Sequence, residues 1–270
     1  MKQIFFIVAS ILFFTSCGEN KKEWRQVDKI ELGNITPIGF SFQNDKIWIA
    51  DGDHNQIVSI NSKGEIQETI ADFERPMHID IEKGIIYIPE YGADQIIKYS
   101  NDEKSTMEIP DSLDAPAGVD IYDKEIAIAD FYNHRIVYFN GKDWKSFGKE
   151  GKGKGELYYP TDVQILSNKI VVADAYNNRI QIFDKDGNSI QTIGESEKMN
   201  AATGIFADEK EVWVTDFEND RVLVFDYNGN LQQIINEELE KPTEILKVGD
   251  AIFIANYKGK NILKFQYKQK

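Results

Sequence analysis

Two residues after a recurring proline position, the chain carries Gly39, His78, Gly118, Asp162, Gly204 and Glu244. Three of these six are potential ligands, one imidazole and two carboxylates. Such a mixed nitrogen and oxygen set suits Zn²⁺, Ca²⁺ or another divalent ion. The same groups can also serve as general bases. They alternate with glycine, so a ring built from the six positions would place a donor at every second step with room between. Whether all three reach one ion depends on the width of that ring. The bland alternative is that polar side chains at a channel mouth order water and that the glycines fit tight turns.

A second set follows an acidic or amide position: Asp53 and His54, Tyr91, Phe131 with Tyr132, Tyr176, Phe217 and Tyr257. Aromatic rings beside acidic groups can stack on a sugar, a peptide or a cationic ligand. Any single ring is as well explained by packing between neighbouring elements. Rings in five of six repeats point to a concave aromatic face.

The elements that must position both sets are legible from spacing. A Pro-x-x-[apolar] step is followed fourteen residues later by an acidic or amide residue, in the pairs Pro37/Asp51, Pro76/Glu90, Pro116/Asp130, Pro160/Asp174, Ala202/Asp216 and Pro242/Asn256. Successive second members lie 39, 40, 44, 42 and 40 residues apart. A period near forty with strand-like units implies a radial array of small sheets. After each Pro position comes a period-two apolar pair such as Phe40 and Phe42, then a polar turn. A near-continuous apolar run such as Ile47-Trp48-Ile49-Ala50 follows, as expected of a strand covered on both faces. A third strand begins near Arg135 or Arg179, and a Gly/Asn hairpin such as Asp186-Gly187-Asn188 leads to a more polar fourth.

The expected fold is therefore all-β: a six-bladed β-propeller of four-stranded antiparallel blades, with second strands ending near 51, 90, 130, 174, 216 and 256. The sixth repeat stops after its third strand, and an orphan strand-like stretch, residues 24–32, precedes the first. Pairing the two would complete the last blade and remove an open edge.

The turns Asp130-Phe-Tyr-Asn-His-Arg135-Ile, Asp174-Ala-Tyr-Asn-Asn-Arg179-Ile and Asp216-Phe-Glu-Asn-Asp-Arg221-Val, with the upstream Phe147-Gly148…Gly151…Gly155-Glu-Leu-Tyr-Tyr-Pro160, resemble the NHL repeat. Repeats three, four and five match closely. The others are degenerate, with His54-Asn55-Gln56, Ala93-Asp94-Gln95 and Gly259-Lys260-Asn261 in place of Asn-x-Arg. The resemblance covers about residues 34–267 and implies the same six-bladed fold. It also brings in propeller lyases and lactonases, which hold a metal in the central channel. The recurring Asp and Arg read as a hairpin clasp and not as catalysts, because an active site needs one constellation and not three copies.

The amino terminus differs from the rest. Lys2 precedes a largely apolar run, residues 4–14, too short to span a bilayer but suited to a secretory signal. Thr15-Ser16-Cys17-Gly18 follows, and Cys17 is the sole cysteine. This resembles the lipobox of bacterial lipoproteins, with Phe14 in place of the usual Leu. Residues 1–17 are thus expected to be a signal ending at a lipidated Cys17, residues 18–23 a tether and residues 24–270 the propeller. The expected location is the bacterial cell envelope, first of all the outer membrane, with the leaflet left open.

Net charge is −14, from 45 acidic and 31 basic residues. That argues against nucleic-acid binding, which needs a basic stripe to displace counterions. Gly151-Lys-Gly-Lys-Gly155 lacks the Lys-Ser/Thr and helix of a phosphate cradle and reads as a long loop between repeats. No Ser-His-Asp or Cys-His arrangement is present. The first reading is a non-enzymatic, membrane-anchored platform for a protein, peptide or carbohydrate, expected to be a monomer. The competing reading is a metal-dependent lyase or lactonase using His78, Asp162 or Glu244.

Overall fold

The computed structural model describes residues 22–269, so the signal segment and Cys17 lie outside the described residues. Six four-stranded antiparallel sheets encircle an axis. In blade one the strands run Gly39–Gln43, Lys46–Asp51, Gln56–Ile60 and Ile66–Ile70, from the channel outward. Blades two to five repeat this order, with inner strands Asp80–Glu82, Pro116–Tyr122, Pro160–Ile165 and Ala202–Ala207.

The blade faces explain the apolar runs. Second strands such as Lys169–Asp174 are buried along nearly their whole length, because each face meets the neighbouring blade. Between blades four and five, Val171, Ile182, Ile205, Leu223 and Phe225 form one dry layer. Fourth strands such as Glu103–Thr106 are exposed throughout and are correspondingly polar. Hairpins at the outer edge turn at Gly64, Gly187 and Gly229, each with positive φ of 81°, 87° and 81°, where a Cβ would be strained.

Closure follows the expected route. Strand Lys22–Glu31 pairs antiparallel with Asn261–Gln269, and the sheet continues through Ala251–Asn256 to the inner strand Pro242–Val248. The amino-terminal segment is thus the outermost strand of blade six. Trp24 anchors it, its ring 5.1 Å from Trp213 at 81° and 5.2 Å from Tyr267. Gln233 of blade five accepts from the Trp24 amide at 3.0 Å and donates to its carbonyl at 2.9 Å.

Removing residues 22–31 should open blade six and strip Trp24 from its packing. The loss should reach about 5 kcal/mol, the size of a large core truncation. That corresponds to a fall of roughly 10–20 °C in melting temperature for a chain of this length. Unchanged melting by calorimetry would show that the strand does not close the ring.

Candidate functional site: a channel cluster beneath an aromatic rim

Each blade enters the disc through a loop ending at the Pro position, and that loop is fastened by side chains. At the end of the second strand a buried carboxylate or amide accepts the amide N–H two residues before the Pro position. Asp174 accepts from Tyr158 at 2.7 Å, Asp130 from Asp114 at 2.8 Å and Asp216 from Asn200 at 2.6 Å, while Glu90 takes Glu74 at 2.9 Å. Asp130, Asp174 and Asp216 also receive the guanidinium Nε of Arg135, Arg179 and Arg221 at 2.7, 2.8 and 2.6 Å, and an Asn amide each, whereas Glu90 receives the Gln95 amide at 2.7 Å. The recurring Asp and Arg form the expected clasp. The glycine-rich loop of repeat four wraps Arg179 with the carbonyls of Lys152, Gly153 and Glu156, so it faces a cation and not a phosphate.

The next amide, just before the Pro position, is held by the preceding blade. Arg75 donates to Asn55, Ala115 to Asp94, Tyr159 to His134, Ala201 to Asn178 and Lys241 to Asp220, at 2.8–3.1 Å. Both loop amides are thereby used in five of six blades.

Inside this collar the three predicted ligands come together. One donor atom from each of His78, Asp162 and Glu244 lies within 4.8 Å of the others, and all three residues are buried. His78 Nδ1 sits 2.6 Å from Glu244 Oε2. The glycines that alternate with them are not in turns. A Cβ on Gly39 would lie 2.6 Å from His78 Cα, one on Gly118 3.0 Å from Asp162 Cα, and one on Gly204 2.9 Å from Glu244 Cα and against the Thr243 carbonyl. Glycine lets each even-numbered inner strand press onto the blade before it. That approach carries the three side chains to a common centre.

The cluster also ties blades. Asp162 accepts the Ile205 amide of blade five at 2.8 Å and that of Val163 at 2.8 Å, and Glu244 accepts from Ile245 at 2.9 Å. A second tier, two residues further along the inner strands, was not singled out from sequence. Asp80 accepts from Ile121, Asp120 from Ile165 and Gln164 from Ala207, each in the following blade. The period-two alternation of the same strands would have pointed to it.

Burial sets the electrostatics. It pushes Glu244 well above the usual carboxyl range, Asp162 up to about 7 and Asp80 up to about 6, and it lowers His78. All move toward their neutral forms, and no lysine or arginine among the described residues lines this cavity. His78 Nε2 is buried without a protein partner. Two carboxylates, an imidazole and an orphaned ring nitrogen fit a divalent cation, whose ligand distances of about 2.0–2.6 Å are compatible with a cluster of this span. The cavity holds only about 50 Å³. That admits an ion and a few waters, far less than the several hundred Å³ of a substrate pocket.

The aromatic set lies on the entry-loop side of the disc. Tyr91, Phe131, Tyr132 and Tyr176 form a continuous cluster, with centroids 5.1–6.2 Å apart along Tyr91–Phe131, Phe131–Tyr132 and Phe131–Tyr176. Tyr158 and Tyr159 complete it, Tyr159 at 4.8 Å from Phe131 and 5.0 Å from Tyr176. Those two escaped the sequence reading because they precede the Pro position instead of following the acidic one. Phe217 and Tyr257 form a separate pair at 6.1 Å. Tyr132 and Tyr176 remain 48% and 58% exposed. His54 stands outside the ring contacts, with Nδ1 2.8 Å from Asp51, where it replaces the Asn of the other clasps.

The fold and this geometry agree with known proteins at a coarse level. The family model described as NHL repeat matches residues 157–183, within blade four. Virginiamycin B lyase from Staphylococcus aureus superposes with a TM-score of 0.67 at 16% identity over 90% of this chain and 99% of that one. A gluconolactonase from Xanthomonas campestris gives 0.72 at 12% over 89% of each. A protein of unknown function from Bacteroides thetaiotaomicron gives 0.68 at 14%, over 92% of this chain and 76% of that one. No curated protein matches the chain. At these identities the likeness defines a six-bladed propeller.

The raised carboxyl of Asp162 has a sign that can be measured in chelator. The folded chain keeps this proton up to about pH 7, whereas the unfolded chain releases it near its ordinary 3.8. Stability contributed by that proton is present at low pH and lost as pH rises through 7. His78, lowered by burial, acts in the opposite sense until the unfolded imidazole, ordinarily at 6.5, has lost its proton about one pH unit higher. The melting temperature in EDTA, taken as the difference between wild type and Asp162→Asn, should therefore fall as pH rises through 7. A rising difference would contradict the buried carboxyl.

Proposed function

We propose that this protein is an exported, lipid-anchored propeller that binds a ligand on its aromatic rim, with a divalent cation at His78, Asp162 and Glu244 fastening the inner strands. The observation that carries this reading is the continuous ring cluster across blades two to four, partly open to solvent. Stacking on such rings supplies contact area at low conformational cost. The cation would neutralise two carboxylates that burial otherwise disfavours.

The competing reading, a metal-dependent lyase or lactonase, rests on the same triad and on the structural likeness to virginiamycin B lyase and to gluconolactonase. A propeller fold by itself does not carry an activity. The triad is compatible with either reading, and the half-exposed ring cluster favours the platform. Export and the anchor at Cys17 rest on the lipobox resemblance, and the acidic charge speaks against nucleic acid as the partner.

Chelator-free protein should contain one divalent ion per chain by elemental analysis, lost in His78→Ala or Glu244→Ala. Added Zn²⁺ or Ca²⁺ should raise the melting temperature of stripped protein, by the linkage of binding to folding. No metal and no shift would remove the cation from the proposal.

On saccharide and peptide arrays, the retained probe should bind roughly two- to tenfold more weakly for each ring removed in Tyr132→Ala or Tyr176→Ala. Melting temperature should fall only slightly in either variant, because both rings are about half exposed. Undiminished binding would place the ligand elsewhere. Metabolic labelling with a fatty-acid probe should mark the wild type and not Cys17→Ala; continued labelling would refute the anchor.

A further inference from the structure

The rim repeats the alternation of the channel. The residues just before the Pro positions are Thr36, Arg75, Ala115, Tyr159, Ala201 and Lys241. Even-numbered blades carry the large side chains, each three residues ahead of His78, Asp162 or Glu244. Lys241 is paired with Glu218 at 3.0 Å. Arg75 is not paired. Arg25, Arg135, Arg179 and Arg221 each form an ion pair, and among the described residues Arg75 forms none. Its guanidinium lies over the Tyr91 ring at 4.9 Å, and its charge also acts on Tyr257 of blade six. Asp53, the nearest acid to Tyr257, is engaged by the Tyr257 hydroxyl at 2.9 Å. The Arg75 backbone is pinned by Asn55.

An unpaired guanidinium stacked on the rim can receive an anionic group locally, despite the acidic charge of the whole chain, because its planar fork matches a carboxylate. The ligand's body is constrained by a second observation. Extended peptides are recognised largely through main-chain hydrogen bonds, yet the amides of these entry loops are taken by Asp, Glu, Asn and His side chains. Those of Tyr91, Tyr132, Tyr176, Phe217 and Tyr257 are taken by loop carbonyls. Recognition then falls on side chains: tyrosine faces and hydroxyls with one cation.

We propose that the rim binds an acidic saccharide, its carboxylate on Arg75 and its sugar rings on the cluster from Tyr91 to Tyr176. This rests on the platform reading and names the ligand class for it. The proposal is tested by calorimetry on the full chain with tetragalacturonate, its methyl ester and an acidic hexapeptide as probes.

The acid should bind. Esterification or Arg75→Gln should weaken it at least about tenfold, Arg75→Lys should restore part, and added salt should reduce it. Equal binding of acid and ester, unchanged in Arg75→Gln but lost in Tyr132→Ala, would overturn the carboxylate contact and leave the platform standing. Binding of the peptide alone would overturn the saccharide and also leave the platform. Binding of no probe would overturn the inference, with the array result on Tyr132→Ala and Tyr176→Ala deciding the platform independently.

Discussion

A buried acceptor at the end of each second strand, Asp51, Glu90, Asp130, Asp174, Asp216 or Asn256, is what the face of this propeller depends on. In five blades it receives the amide of the entry loop, and in three it also receives an arginine. Without that acceptor each loop amide would lose its fixed partner, at a net cost of about 0.5–1.5 kcal/mol. The next blade's loop is then held by the Asn, Asp or His at the left-handed end of the same turn. Rim residues therefore sit on a collar of side-chain-to-backbone bonds that runs from blade to blade. A rigid collar lets Arg75 and the tyrosines present fixed positions without any help from a ligand.

The channel obeys a different constraint, close approach. Glycine in blades one, three and five allows the inner strands of blades two, four and six to press against them, giving the sixfold ring a threefold character. His78, Asp162 and Glu244 converge for that reason, and the rim above follows the same alternation. The carboxylates also bond amides of their own or the following blade, so they are part of the architecture whether or not an ion joins them. Their displacement toward neutral forms follows from burying these groups without a compensating charge.

These two layers differ in chemical capacity. The channel is deep, acidic and small, which suits an ion. The rim is broad, aromatic and carries free positive charge, which suits a larger partner. An enzyme of the lyase or lactonase sort would need its substrate to reach the ion from the rim side, because the cavity among the inner strands, about 50 Å³, holds no more than an ion and a few waters.

The sequence by itself determined the blade count, the strand order, the closure of the ring by residues 24–32 and the membership of the channel triad. These follow from periodic features: apolar alternation, turn chemistry and a spacing of fourteen residues. Only the tertiary structure decided that the triad meets within one ion's reach, since that depends on how closely neighbouring inner strands approach. It also decided which rings touch. Tyr159 of blade four reaches Phe131 of blade three at 4.8 Å, and Phe217 of blade five pairs with Tyr257 of blade six at 6.1 Å. Such contacts arise between repeats, where side chains distant in the chain share a surface, and local pattern carries no record of them.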